Sequence, residues 1–143
     1  MTMLVQIITG TLGALGFALL YNIRGKRLFF AALGGLIATL CYCVFGLFIQ
    51  SEVLNYFLCS LLVSLYAEIM ARIIKTPTTT FIITSLIPLI PGGSLYYTMT
   101  TAFSGEISTF IDKGIYTLSL AGALAAGIIV VLSFAKFLGK KRI

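Results

Sequence analysis

Apolar residues run almost unbroken along this chain, and charged residues mark where the runs stop. Charge-free stretches cover residues 1–23, 28–51, 76–105 and 114–135. Each reaches the ~20 residues that an α-helix needs to cross hydrocarbon. A fifth run, Val53–Ala67, is shorter and spans only if its helix continues through Glu68 to about Ile74. The pattern predicts an all-α integral membrane protein with five transmembrane helices in one domain over residues 1–143, at about 2–22, 28–49, 53–74, 77–103 and 115–137. The alternative is four full spans, with the short run as a re-entrant or interfacial helix.

The fourth run carries the strongest anomaly. Ile87–Met99 reads Ile-Pro-Leu-Ile-Pro-Gly-Gly-Ser-Leu-Tyr-Tyr-Thr-Met, inside an uncharged stretch from Thr76 to Gly105. Proline removes a helical donor and clashes with the preceding turn, and glycine readily leaves helical dihedrals. The expected form is helix, break over 88–93, helix. Thr76 is placed to cap the first half, with Pro77 at the favoured first position, and Ser94 to cap a second half reaching Phe103. In hydrocarbon each freed backbone group costs roughly several kcal/mol unless protein or water meets it. A half-helix starting at Gly93–Ser94 would aim unpaired N–H groups and a positive dipole end into the protein, which suits a carboxylate. Secondary transporters build substrate sites from broken helices of this kind. Pro88, Pro91, Gly92, Gly93, Ser94, Tyr96, Tyr97 and Thr98 therefore form the candidate substrate site. The competing explanation is a packing kink satisfied by neighbouring helices.

Composition agrees with the pattern: 59% hydrophobic, 10% charged, mean hydropathy +1.10. Soluble domains carry about 25% charged residues. Met1–Tyr21 has no charged leader and no small-residue cleavage signal, so it reads as a retained span. The net charge of +6 is distributed at run ends, which argues for headgroups and topology rather than nucleic acid. With five spans, Arg24, Lys26, Arg27, Arg72, Lys75, Lys136, Lys140, Lys141 and Arg142 share one side, against Lys113 on the other with Glu52, Glu106 and Asp112. That asymmetry predicts a multi-pass protein of the cell (cytoplasmic) membrane, N-terminus outside and C-terminus cytoplasmic.

Glu68 and Arg72 are the charges embedded in a span, on one helical face at i, i+4 spacing. Two roles suit them: proton coupling with anion holding, or an interfacial ion pair at the cytoplasmic helix end. Cys41, Cys43 and Cys59 lie in apolar runs and read as small buried hydrophobes. Gly10, Gly13 and Gly16, Gly34-Gly35, and Gly122, Ala123, Ala126 and Gly127 let helices approach closely, in the bundle or in a homo-oligomer. The chain has no histidine, no phosphate-cradling loop and no intramembrane pair of acids. Neither an enzyme, a metal site nor a cofactor is expected.

Three segments carry a family resemblance. They are Gly16-Phe17-Ala18-Leu19-Leu20-Tyr21-Asn22 before a basic loop, Ala67-Glu68-Ile69-Met70-Ala71-Arg72 with Lys75-Thr76-Pro77, and Ile87–Met99. Together they resemble the threonine/serine exporter family in its short form, corresponding to the C-terminal half of the full-length exporter. The resemblance implies the small subunit of a two-component exporter, paired with a larger membrane subunit that resembles the N-terminal half. It also implies proton-motive-force-driven efflux of threonine and serine as the small-molecule substrates. A related split pair implies dicarboxylates such as succinate as the alternative cargo. Glu68 matches the Ala-Glu-x-x-Ala-Arg pattern of many members. An odd number of helices cannot form two equal repeats in one chain, which by itself calls for a partner. A purely accessory subunit that stabilises a transport-active partner is the other possibility.

Overall fold

A computed structural model describes residues 3–140, with side chains through Phe137; Lys141 and Arg142 of the basic C-terminus lie outside the described residues. All the regular structure described is helical. Helices α1 (Met3–Leu20), α2 (Lys26–Phe48), α3 (Glu52–Ile74), α4 (Thr78–Leu86), α5 (Gly92–Phe103) and α6 (Ile107–Lys140) follow in order, with a 3-10 turn at Ile87–Leu89 after α4. α1, α2, α3 and α6 are each long and apolar enough to cross a membrane. Thr78–Leu89 and Gly92–Phe103 qualify together as a fifth span, bent by 58° at the break. The run from Val53 does continue through Glu68, in one 23-residue helix.

α4 sits against both α2 and α3, with α1 outside α2 and α6 outside α3. α5 leaves this layer and packs on α6. The core is built from small side chains: Ala14, Ala18, Ala31, Ala38, Cys59, Ser60, Ser64 and Ala67 are fully or nearly fully buried around Phe81, Leu89 and Leu120. Large apolar residues such as Leu4, Phe29, Phe48, Phe103 and Phe134 point outward. In lipid the outward face loses nothing by being apolar, so helices associate through close backbone approach.

Not every glycine expected to serve that approach does so. A Cβ on Gly10 would lie 2.2 Å from Thr39 Cγ2, one on Gly35 2.2 Å from Ala14 Cβ, and one on Gly127 1.8 Å from Ser60 Oγ. Gly13, Gly16 and Gly122 have nothing within 4 Å of a Cβ. α1 thus crosses α2 at Gly10 and Ala14, because a 3.6-residue repeat carries Gly13 and Gly16 off the contact line.

Helix ends follow local chemistry. At the end of α1, Asn22 takes φ 57° and Ile23 N–H donates to Ala18 O; at the end of α3, Lys75 takes φ 53° and Thr76 N–H donates to Ala71 O. Each is a left-handed turn that closes the last carbonyls. Two cap expectations are corrected. Thr76 does not cap α4: its hydroxyl is buried without a partner, Pro77 holds the cap position, and the helix starts at Thr78. Ser94 does not cap α5, because the helix already starts at Gly92 behind Pro91. In both cases proline's fixed φ sets the entry angle and the hydroxyl residue falls off the cap position. α6 runs 34 residues and begins at Ile107, before the expected 115. Asp112 and Lys113 end the apolar pattern without ending the helix.

Candidate functional site

The break sits between two half-spans of 12 residues each. Gly92 N–H donates to Ile90 O (2.7 Å) and Leu95 N–H to Pro91 O (3.0 Å). Gly93 and Ser94 occupy the second and third positions of α5, where amides lack an intrahelical acceptor. Beside them lies a cavity of about 430 Å³ lined by Ile90, Pro91, Gly92, Gly93, Ser94 and Tyr97 on one wall and by Glu52, Tyr56, Tyr116 and Leu120 on the other. A volume in this range suits a small molecule.

The expected site residues separate into groups. Pro91, Gly92, Gly93, Ser94 and Tyr97 line that cavity. Pro88 lines a different one of about 200 Å³, with Gln6, Gly10, Thr39 and Tyr42 of α1 and α2. Thr98 is buried and turned to α6: its hydroxyl and that of Ser94 lie 3.0 and 2.8 Å from Thr117 Oγ1, fastening α5 to α6. Tyr96 is exposed and outside the cavity lining, packed edge-to-face on Tyr97. Lys113 Nζ stands 5.8 Å from the centroid of the Tyr97 ring.

Gly92 and Gly93 are informative. Neither has a positive φ, and a Cβ on either would meet nothing within 4 Å. Backbone conformation and packing within this chain therefore do not require glycine there. What glycine supplies is uncovered backbone at the mouth of a cavity, where another molecule can approach closely.

Glu52 was not among the expected site residues. It opens α3, where it reads as an acid in an outer loop, and nothing local says that the break comes to rest beside it. Tyr42 of α2 donates to its Oε1 (3.0 Å), and Tyr116 of α6 donates to its Oε2. Tyr42 and Tyr56 pack edge-to-face, 5.4 Å between centroids.

Glu68 and Arg72 meet at the opposite end of α3. Arg72 Nε donates to Glu68 Oε1 (2.8 Å), Thr78 Oγ1 donates to Glu68 Oε2 (2.8 Å), and Arg72 Nη2 donates to Ala135 O (3.0 Å). The pair clasps the ends of α3 and α6 to the start of α4. It is separate from the cavity at the break. A third cavity, of about 400 Å³ and mostly apolar, lies beside it between α3 and α6.

Four spanning helices with a bent fifth pair define a multi-pass membrane protein, with a cavity at the bend. The family model described as Threonine/Serine exporter, ThrE, matches residues 6–134. The chain belongs to the threonine/serine exporter family, and is a membrane transport protein of the amino-acid export class. No curated protein and no solved structure matches it.

Proposed function

We propose that this chain is the small subunit of a proton-motive-force-driven secondary exporter of threonine and serine, and that the break in the fourth span receives the substrate carboxylate. The observation that carries this reading is the cavity where the Gly93 and Ser94 amides of α5 stand without a backbone acceptor. A helix N-terminus favours an anion through both its free donors and its dipole. The dicarboxylate alternative would use the same amides, so this wall alone does not choose between cargoes. A larger companion membrane subunit, or a second copy, fits the exposure of Gly92, Gly93, Tyr96 and Tyr97 on a helix that packs on α6 alone to any extent. The family implies the companion.

The test is efflux of preloaded threonine, serine and succinate from vesicles holding this chain, its companion, or both. Threonine and serine should leave only when both are present, and faster when the exterior is made acidic, so that protons flow inward as substrate leaves. Full-rate efflux from the companion alone would reduce this chain to an accessory subunit. The orientation, with Arg24, Lys26, Arg27, Arg72, Lys75 and Lys136 cytoplasmic, follows the positive-inside rule.

Glu68 is our candidate for proton coupling. A proton on its carboxylate would weaken the bonds from Arg72 and Thr78 together, loosening α4 from α3. The Glu68→Gln variant should therefore export with a flattened pH dependence. An unchanged pH profile would leave Glu68 as a structural clasp.

A further inference from the structure

We infer that Glu52 is a specificity-determining residue, receiving the α-ammonium of an amino-acid substrate whose carboxylate sits at the break; this rests on the reading of the break given above. Glu52 lines the same cavity as Pro91–Ser94 but from the facing wall, on the first turn of α3. One phenol donates to each of its oxygens, from Tyr42 and from Tyr116, so two helices fix the carboxylate in place. A carboxylate has about four acceptor positions, and two phenols leave capacity for a further donor. Among the described residues the one ion pair is Glu68–Arg72, so Glu52 has no cationic partner within that set.

The two walls therefore differ in sign. Helix amides stand on the α5 side and a carboxylate stands on the α3 side. That division matches a zwitterion, whose own charges are separated in the same sense. A dicarboxylate in the same place would bring its second carboxylate toward Glu52, and like charges repel. The feature that separates the two cargoes is thus Glu52 rather than the break. The plainer role for Glu52 is structural: an acid in a helix first turn complements the dipole, and its phenols tie α2 and α6 to α3.

The experiment measures competition against threonine efflux in vesicles holding the full complex. The probes are 3-hydroxybutyrate, which lacks the ammonium group, threoninol, which lacks the carboxylate, and succinate. Wild type should prefer threonine to 3-hydroxybutyrate by at least ~tenfold, since a site built to bond a substrate N–H rejects the analogue without it. Glu52→Gln should lose most of that preference and admit succinate better, while Glu52→Asp keeps part of it. A Glu52→Gln variant that slows both compounds alike, or neither, overturns the proposal in favour of the structural role. If that variant fails to assemble, a wild-type ratio near one overturns it equally. Threoninol competing as well as threonine would instead overturn the break as a carboxylate site, a failure that the amine-lacking probe does not report.

Discussion

Replacing Gly93 by leucine is expected to cut export sharply while leaving the bundle folded. The two halves of that expectation have separate causes. Gly93 has helical rather than positive φ, and a Cβ there meets nothing within 4 Å, so the side chain enters without displacing a neighbour. Leucine is also the better helix former, although at the second residue of α5 the gain is well below the ~1 kcal/mol that separates glycine from alanine in a helix interior. Thermal stability in detergent should therefore hold or rise slightly. The same open space is the cavity at the break, and four added carbons beside the free amides would keep a carboxylate from reaching them. A hydrogen bond to a charged group is worth about 1.5–3 kcal/mol, so its loss should lower efflux by at least ~tenfold. Gly93→Ala should give an intermediate loss. Efflux at the wild-type rate from a folded Gly93→Leu variant would sink the idea that substrate touches the break.

The second large effect is the reverse in kind. Gly35→Val should destabilise the fold wherever substrate binds, because a Cβ on Gly35 would lie 2.2 Å from Ala14 Cβ and 3.7 Å from Gly10 O. Ala14 has no rotamer to adopt, so α1 and α2 must separate. Overpacking of this type costs about 1–3 kcal/mol, and the upper end applies where the opposing atom is fixed. A loss near 3 kcal/mol would lower the melting midpoint in detergent by about 6–12 °C in a chain of this size. Gly13→Ala and Gly16→Ala, whose Cβ positions are open, are the controls and should move it little. A melting midpoint for Gly35→Val equal to that of the controls would show that α1 and α2 do not meet closely at Ala14.

These two glycines illustrate what the amino-acid sequence discloses. Hydropathy runs gave the spans, because burial in lipid is a property of composition and length. Proline and glycine gave the break, since their effects on the backbone are local. Which glycine sits at a contact was not legible: Gly34-Gly35 and Gly13 look alike along the chain, and the helix crossing decides between them. Glu52 escaped for the same reason. Its neighbours in the cavity come from residues 90–97 and 116–120, and only the folding of α5 onto α6 brings those walls together. Ser94 and Thr98 were read as ligands because hydroxyls beside a break suit that task. In the structure their hydroxyls meet Thr117, so part of the polar character of this segment serves attachment rather than recognition.

The length of α6 bears on how deep the cavity lies. Thirty-four residues make a rod of about 51 Å, well beyond the ~30 Å of hydrocarbon. Its charge-free part, from Gly114 to Ala135, is the portion that matches that slab. Measured from Gly114 along the axis, Tyr116 and Leu120 then sit only about 3 and 9 Å below the hydrocarbon edge. The pocket is a shallow vestibule near one leaflet, and the hairpin joining α5 to α6 stands above it in the headgroup layer. A molecule entering from the basic end has most of the bilayer still to traverse before it reaches Glu52.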